Sequence, residues 1–295
     1  MLKEILKGKL PAEELELVPS SFDVIGSKEK AVAIVEIPEE LKHKEKMIAE
    51  AIMEMQKSVK SVLKKTSERK GDTRIREFEL IAGDANTEVI HKENGHLLKL
   101  DSQKVYFSSR EATERRRIAG QVKPGETVLV MFSGIAPFPI EIAKSQPDVD
   151  RIYGIELNEA AHNYGIENVR MNKIAHKIVL IQGDAREVCQ RFFDKCDRVL
   201  MPLPLGAENF LDVAIKCLKE KGIVHFYNWG REDDLYTNAL NLIENATKEM
   251  DVKFEVLSKR KVLPYAPGKF KICIDFLVRR GSRSLVNRTG FRTSL

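Results

Sequence analysis

The sequence lacks the features that mark membrane-spanning, secreted and metal-binding chains. No window approaches the roughly 18 uninterrupted apolar residues of a transmembrane helix, and the N-terminus lacks the apolar stretch of a signal peptide. The four cysteines, Cys189, Cys196, Cys217 and Cys273, form no CxxC pair and no metal-ligand spacing. We therefore predict a cytoplasmic protein that binds neither a metal nor a membrane. With 17 glycines and 11 prolines in 295 residues, a low-complexity chain is also excluded.

The charges are unevenly distributed. The net charge of +5 is weak evidence for a nucleic-acid partner. Residues 57–76, however, carry eight basic and two acidic side chains, a local charge of +6. Such a run is typical of either a solvated helix face or a phosphate-binding patch. Residues 281–295 hold three arginines and no acid, and we predict a basic, disordered tail there.

Residues 1–104 have the pattern of a small α+β domain. Asn94-Gly95 between two short apolar runs predicts a β-hairpin. The other elements predicted by periodicity and punctuation are helices at 3–18 and 40–55 and strands at 22–26, 31–37, 61–63 and 78–82.

Residues 105–280 alternate strands and helices. After a helix at 111–121, apolar β-branched runs recur at 127–132, 152–156, 177–181, 198–201 and 222–227, with helical segments between them. This alternation predicts a mostly parallel, doubly wound α/β sheet. Two more strands, 253–261 and 271–278, complete seven; we predict a loop between them at Pro264–Gly268.

Three successive strand ends carry groups that suit adenosine. The first strand runs into the small-residue loop Phe132–Ala136, where backbone can approach a ligand closely. Glu156 ends the second strand and can accept hydrogen bonds from a ribose diol, while Asp184 follows the third. Taken alone, either carboxylate is equally typical of a helix N-cap. Together they favour a nucleotide-type cofactor at this edge of the sheet.

Two further segments flank that edge. Pro202 and Pro204 force the chain out of the sheet after the fourth strand and stiffen the loop that follows. Upstream, residues 106–117 combine two aromatics with four arginines around Glu114. This combination suits stacking and phosphate contact with single-stranded RNA, although an amphipathic linker helix has the same composition.

Together these residues resemble the archaeal and eukaryotic tRNA (guanine-37-N1)-methyltransferase family over roughly residues 1–279. The segments that carry the resemblance are Tyr106–Arg115, Met131–Phe138 and Met201–Phe210, with His225-Phe226-Tyr227 and Tyr265-Ala266-Pro267. The resemblance implies a Rossmann-like class I methyltransferase domain at 105–280, preceded by a tRNA-contacting domain at 1–104. It also implies S-adenosyl-L-methionine as cofactor, the anticodon stem-loop of tRNA as partner, and a monomer.

The resemblance also implies roles for individual residues. Glu114 matches the general base that removes the N1 proton of guanine. The remaining predicted catalytic residues are Arg110, Pro204 and an arginine that stabilises charge on guanine O6, either Arg74 or Arg76. Predicted cofactor contacts are Phe132, Ser133, Gly134, Ile135, Glu156, Leu157, Asp184, Ala185 and Pro202. Predicted RNA contacts are Tyr106, Phe107, Arg115, Lys64 and Lys65.

Departures from the family pattern leave alternatives open. Val130 stands where the family usually has Asp, Ala136 where it has Gly, Ser109 where it has Pro and Pro202 where it has Asn. We expect Ala136 to fit if its φ is negative. The rival functions are the wybutosine-pathway 3-amino-3-carboxypropyl transfer with the same cofactor, a catalytically impaired tRNA-binding homologue, and methylation of a small molecule or protein.

Overall fold

The computed structural model describes residues 2–66 and 77–280. The predicted helix over residues 3–18 is instead two short helices, α1 (Leu2–Leu6) and α2 (Ala12–Leu17). Gly8 has a φ of 80°, and Pro11 immediately precedes α2. The left-handed glycine and the proline together redirect the chain between the two helices.

A four-stranded sheet follows. It consists of β1 (Asp23–Gly26), β2 (Ala31–Val35), β3 (Val59–Lys65) and β4 (Phe78–Gly83), in that spatial order. The β2–β3 pair is parallel and the other two are antiparallel. Helix α3 (Glu45–Met55) provides the β2–β3 crossover and buries Ile48 and Ile52 in the core of this sheet.

The Asn94-Gly95 prediction is confirmed. Strands β5 (Glu88–Glu93) and β6 (His96–Asp101) pair antiparallel around this turn, in which both residues have positive φ, 49° and 84°. Positive φ at both central residues is the requirement of a type I′ hairpin turn.

The alternating elements form the predicted α/β sheet. Helix α4 (Ala112–Ala119) precedes β7 (Thr127–Val130), α5 (Pro137–Ser145), β8 (Arg151–Glu156), α6 (Glu159–Met171), β9 (Ile178–Gln182), α7 (Ala185–Val188), β10 (Cys196–Met201), α8 (Leu211–Cys217), β11 (Leu218–Arg231), α9 (Thr237–Glu249), β12 (Val252–Ala266) and β13 (Lys269–Arg280). The seven strands run in the order β12-β13-β11-β10-β7-β8-β9. Within it β7, β10 and β11 are mutually parallel, as are β8 and β9, while β13 runs antiparallel to β11 and β12. The predicted fold class is therefore confirmed.

The predicted loop at Pro264–Gly268 is largely wrong. Strand β12 continues to Ala266, and Pro264 is paired with Phe270 of β13. Only Pro267 and Gly268 connect the strands, with a φ of 67° at Gly268. Proline is tolerated here because β12 is the outermost strand, where a missing N–H breaks no ladder on the open side.

Packing divides the chain into two compact units. The first comprises Met1–Pro124 and Ser133–Asp184, and the second Gly125–Phe132 and Ala185–Leu295. This division differs from the predicted boundary after residue 104, which stays a prediction. Within the first unit, Asn168 of α6 exchanges hydrogen bonds with Lys99 of β6, its Oδ1 lying 2.6 Å from the amide nitrogen and its Nδ2 3.1 Å from the carbonyl oxygen. The Asn168 side-chain amide thus bonds both backbone groups of Lys99, as a neighbouring strand would, and joins the hairpin to α6.

In the described ranges, no helix combines the length and apolarity that crossing a bilayer requires.

Candidate active site

The loop after β7 contains three residues with left-handed backbone. Phe132, Gly134 and Ala136 have φ values of 58°, 55° and 67°. The condition under which we expected Ala136 to fit, a negative φ, is therefore not met. Ala136 directly precedes Pro137 at the start of α5, and a proline disfavours right-handed helical backbone in the residue before it. A non-glycine residue in this region costs about 1–2 kcal/mol, so the loop stores strain.

Two glycines that the sequence analysis did not select allow this loop to pack closely. A Cβ on Gly154 of β8 would lie 3.0 Å from the Ser133 Oγ and 2.6 Å from the Leu180 Cδ2. A Cβ on Gly165 of α6 would lie 2.9 Å from the Leu180 Cδ1 and 3.6 Å from the Gly134 carbonyl oxygen. A signal was present for Gly165, because glycine inside a helix costs about 1 kcal/mol and indicates a packing requirement.

Glu156 connects the end of β8 to this loop. Its Oε2 accepts a hydrogen bond from the Gly134 amide at 2.7 Å, and its Oε1 accepts one from the Asn158 amide at 2.8 Å. Burial raises the pKa of Glu156, while backbone hydrogen bonds from Asn158, Gly134 and Leu157 partly oppose the rise. Three backbone hydrogen bonds leave one of the four lone pairs of the carboxylate free, so it can still accept a hydrogen bond from a diol.

Residues after β8 and β9 extend the same edge of the first unit. Asn158 caps α6, accepting a bond from the Ala160 amide at 2.9 Å. Leu157 leaves 46% of its surface exposed and so has apolar surface that a ligand ring can contact. Asp184 is exposed and directly follows β9.

In the second unit, the Pro202–Pro204 loop is held by a buried lysine. The Lys271 Nζ donates to the Pro202 carbonyl oxygen at 3.2 Å and lies 4.8 Å from the centre of the Tyr227 ring. Pro204 is buried. The Phe132 ring contacts the Phe210 ring edge-on, with centroids 5.1 Å apart. Val130, where the family usually has Asp, is fully buried and paired with Leu200 of β10.

Glu114 is a buried carboxylate in α4, only 3% exposed. Arg117, one turn later, holds it with two hydrogen bonds, Nη2 to Oε1 at 2.7 Å and Nε to Oε2 at 2.8 Å. A bidentate arginine compensates the negative charge and orients the carboxylate. It does not use all the acceptor capacity, because each carboxylate oxygen has two lone pairs.

Two neighbours of Glu114 in sequence are more exposed. Tyr106 is 40% exposed, and its hydroxyl donates to Glu111 Oε1 at 3.3 Å. The Arg110 side chain is half exposed, with Nε 2.5 Å from Asp23 Oδ1 of β1. Both side chains keep surface available to a substrate.

Arg115 does not fit its predicted role as an RNA contact. It is 2% exposed and forms a bidentate ion pair with Glu93 of β5, Nε to Oε1 at 2.7 Å and Nη2 to Oε2 at 2.5 Å. Its Nη2 also donates to the Ser108 carbonyl oxygen at 2.9 Å. Burial by itself would raise the pKa of Glu93, but hydrogen bonds from His91 and Arg115 bring it below its usual value.

The predicted basic patch also needs correction. Lys64 is buried, with its Nζ 2.5 Å from Glu45 Oε2 and 2.9 Å from Glu79 Oε2. Hydrogen bonds to these two carboxylates raise the pKa of Lys64. Its charge is therefore compensated locally and does not face a polyanion. Lys65 lies 3.6 Å from Glu36. Arg74, Arg76 and the tail at 281–295 lie outside the described residues.

The aromatic ring of Phe107 is covered from within the protein. The Arg115 guanidinium lies 5.1 Å from its centre, and the His91 ring lies 5.2 Å away at 59°. Phe107 is half-buried by these contacts. Part of its surface remains open, so its predicted contact with RNA stays a prediction.

A mostly parallel seven-stranded sheet, with a carboxylate bound to the first loop at the end of β8, is characteristic of a Rossmann-like, nucleotide-cofactor enzyme. Comparison with known proteins specifies the class. The TRM5/TYW2 methyltransferase domain matches residues 89–257, and the TYW2 N-terminal domain matches residues 2–87. The chain belongs to the TRM5/TYW2 methyltransferase family.

Relatives from both branches of this family are similar to the chain. The tRNA (guanine(37)-N(1))-methyltransferase Trm5b of Pyrococcus abyssi is 44% identical over 269 residues, 91% of this chain and 78% of the relative. A tRNA(Phe) (4-demethylwyosine(37)-C(7)) aminocarboxypropyltransferase of Pyrococcus horikoshii is 30% identical, over 94% of this chain and 96% of the relative. The solved structure of P. horikoshii TYW2 in complex with MeSAdo is 29% identical with a TM-score of 0.77, covering 95% of this chain and 98% of that structure.

Proposed function

We propose that this protein transfers a methyl group from S-adenosyl-L-methionine to N1 of guanosine 37 in tRNA. The observation that carries the proposal is the 44% identity with a tRNA (guanine(37)-N(1))-methyltransferase across 91% of the chain, against 30% with an aminocarboxypropyltransferase. The enzyme class and the cofactor follow from the family, whose methyltransferase domain spans residues 89–257.

Cofactor binding is assigned to the loop after β7 and the ends of β8 and β9. Glu156 would accept a hydrogen bond from a ribose hydroxyl through the lone pair that Gly134, Asn158 and Leu157 leave free. Burial disfavours the charged form of this carboxylate and raises its pKa. A ligand that donates hydrogen bonds to it would stabilise the charged form. Leu157 offers an exposed apolar surface and Asp184 an exposed acceptor for the adenine. The further contacts proposed are Phe132, Ser133, Ile135, Ala185 and Pro202.

Proton removal is assigned to Glu114. Guanine N1 carries a proton at neutral pH and becomes a nucleophile only when that proton leaves. Glu114 has the acceptor capacity for it, and Arg117 holds the carboxylate in one orientation. Negative charge then spreads to guanine O6, where Arg74 or Arg76 would stabilise it.

The RNA-binding set is smaller than the sequence suggested. Tyr106 and Arg110 keep exposed surface beside Glu111 and Asp23, which supports contact with a guanine turned out of the anticodon loop. Phe107 and Lys65 remain in the set, and Pro204 stays in the proposed catalytic set. Arg115 and Lys64 are left out, because their charges are compensated by neighbouring carboxylates. The N-terminal region 1–104 is proposed to contact the anticodon stem, in a monomer acting in the cytoplasm.

One experiment separates the two transfer reactions. Unmodified tRNA transcript is incubated with S-adenosyl-L-methionine and the enzyme, then digested to nucleosides for mass spectrometry. We expect a gain of one methyl group on guanosine, and no gain on a transcript with adenosine at position 37. A parallel sample uses tRNA that carries 4-demethylwyosine at position 37, the acceptor of the aminocarboxypropyltransferase relatives. A gain of an aminocarboxypropyl group on that tRNA would establish the rival reaction. No gain on either tRNA, with intact binding, would indicate a binding protein without catalysis.

A further inference from the structure

Strand β11 extends past its parallel neighbour. Met201, the last residue of β10, is in register with Phe226, yet β11 continues through Tyr227 to Arg231. Five further residues at about 3.3 Å each carry it about 16 Å beyond the carboxyl end of β10. This extension pairs with residues 269–273 of β13, which pair in turn with the end of β12. We call residues 227–231 and 263–273 the tongue. It projects from the edge at which open parallel sheets bind their ligands.

One face of the tongue carries an aromatic pair beside lysines. The Trp229 and Tyr265 ring centroids lie 4.2 Å apart, with the planes tilted by 41°. The Lys269 Nζ lies 5.7 Å from the Trp229 centroid and 5.8 Å from that of Tyr265. Trp229 is partly exposed and Tyr265 is 38% exposed. Flat aromatic surface next to an ammonium group is thus presented to solvent.

This face is continuous with the proline loop. Side chains alternate along a strand, so Lys269 and Lys271 of β13 lie on the same face. The Lys271 Nζ reaches the Pro202 carbonyl oxygen. The opposite face also has a lysine over an aromatic ring: the Lys261 Nζ lies 3.4 Å from the centre of the Phe270 ring. The Phe270 ring is half-buried. That face offers a matched control on the same element.

The charge of Lys269 is available to an anion. Within residues 2–66 and 77–280, no carboxylate forms an ion pair with Lys269. The acids nearest in sequence are already engaged: the Arg231 Nε lies 3.1 Å from Asp233 Oδ1, and Asp234 accepts a hydrogen bond from the Thr237 amide at 3.1 Å. Glu232 approaches the turn through its backbone, its amide donating to the Gly268 carbonyl oxygen at 2.9 Å. An anion near Lys269 would therefore not displace an existing partner.

We infer that Trp229, Tyr265 and Lys269 bind an unstacked nucleotide of the tRNA anticodon loop. An aromatic surface accepts the face of any base, and the neighbouring ammonium suits its phosphate. This inference rests on the proposed function, since tRNA is the partner. An aromatic pair of this kind also stabilises a hairpin by itself. The test therefore has to separate RNA binding from folding.

Trp229 is the only tryptophan in the sequence, so its fluorescence reports on this face alone. Unmodified tRNA transcript is titrated into the full chain. We expect the Trp229 emission to be quenched as a base stacks on it. We expect Tyr265→Ala to raise the Kd for tRNA about tenfold. For Lys269→Ala we expect weaker binding. We also expect the slope of log Kd against log salt concentration to fall by about one. Lys261→Ala, on the opposite face, should bind as wild type.

The same preparations are assayed for guanosine-37 methylation and for thermal unfolding. Unquenched Trp229 emission in an enzyme that methylates tRNA would overturn the inference and leave the proposed function intact. The inference would also fall if Tyr265→Ala and Lys269→Ala lowered the Tm without changing the Kd, or if Lys261→Ala weakened binding as much as Lys269→Ala. Absence of methylation by wild type would instead refute the proposed function.

Discussion

Replacing Arg115 by methionine should destabilise the protein and leave RNA contacts untouched. Methionine keeps the length of the apolar stem but removes the guanidinium. Glu93 would then be left buried without its bidentate partner, and the Ser108 carbonyl without its donor. Removing one member of a buried ion pair costs about 3–5 kcal/mol. A surface substitution costs less than about 0.5 kcal/mol, so the two roles proposed for Arg115 predict clearly different stabilities.

The assay is urea unfolding at pH 7, with tRNA affinity measured on the folded variant. Arg116→Met is the matched control, because Arg116 is exposed and its Nη2 donates to Asn94 Oδ1 at 2.8 Å. Adding Glu93→Leu to Arg115→Met should recover much of the lost stability, since the isolated buried charge is removed.

Lowering the pH should reduce the difference in the free energy of unfolding between Arg115→Met and wild type. The pKa of Glu93 lies below its usual value in the folded protein. Its ion pair therefore stabilises the fold at pH values above the unfolded value of 4.5. That contribution is lost as the pH falls through the lowered folded value. Full stability of Arg115→Met combined with weak tRNA binding would refute this reasoning and return Arg115 to the RNA-contacting set.

Three further substitutions test the site. Glu114→Gln should keep tRNA and cofactor binding and slow single-turnover methyl transfer by about 10²–10⁴-fold, because the amide cannot accept the N1 proton. Glu156→Ala should weaken cofactor binding in calorimetry and leave tRNA binding unchanged, because it removes the acceptor at the end of β8. Ala136→Gly should raise the free energy of unfolding by up to about 1 kcal/mol. It relieves about 1–2 kcal/mol of left-handed strain and loses about 0.8 kcal/mol of methyl burial.

Each of these has a contrary outcome. A wild-type rate in Glu114→Gln would remove Glu114 as the base. Loss of tRNA binding in Glu156→Ala would place that residue outside the cofactor site. A less stable Ala136→Gly protein would mean that the packing of the methyl group outweighs the backbone strain.

Much of the fold could be read from local patterns. The Asn94-Gly95 turn requires positive φ at two positions, which few other residue pairs accept, and it forms the predicted hairpin. Apolar β-branched runs alternating with helices led to the seven-stranded sheet, because strands of a parallel sheet are covered by helices on both faces. At Pro264 the same reasoning failed, since a proline is excluded from a central strand but allowed at an edge.

Part of the candidate site could likewise be predicted from the sequence, and part could not. Chain order alone indicated that Glu156 and the loop at Gly134 follow parallel strands, and strand ends of that kind meet at one edge of a sheet. Charge counting could not tell Arg115 from Arg116, although one lies in a buried ion pair and the other is exposed. The ion pair that distinguishes Arg115 joins it to Glu93, a residue 22 positions away in the sequence.

The sequence by itself determined the order of elements, the class of fold and the strand ends that carry the chemistry, because these follow from periodicity and chain direction. Only the tertiary structure decided which cations are neutralised by carboxylates, as at Lys64 and Arg115. It alone brought Trp229, Tyr265 and Lys269 together on one face of the tongue. Their proximity depends on strand register and on how far β11 extends past β10, and neither is encoded in the pattern of any single segment.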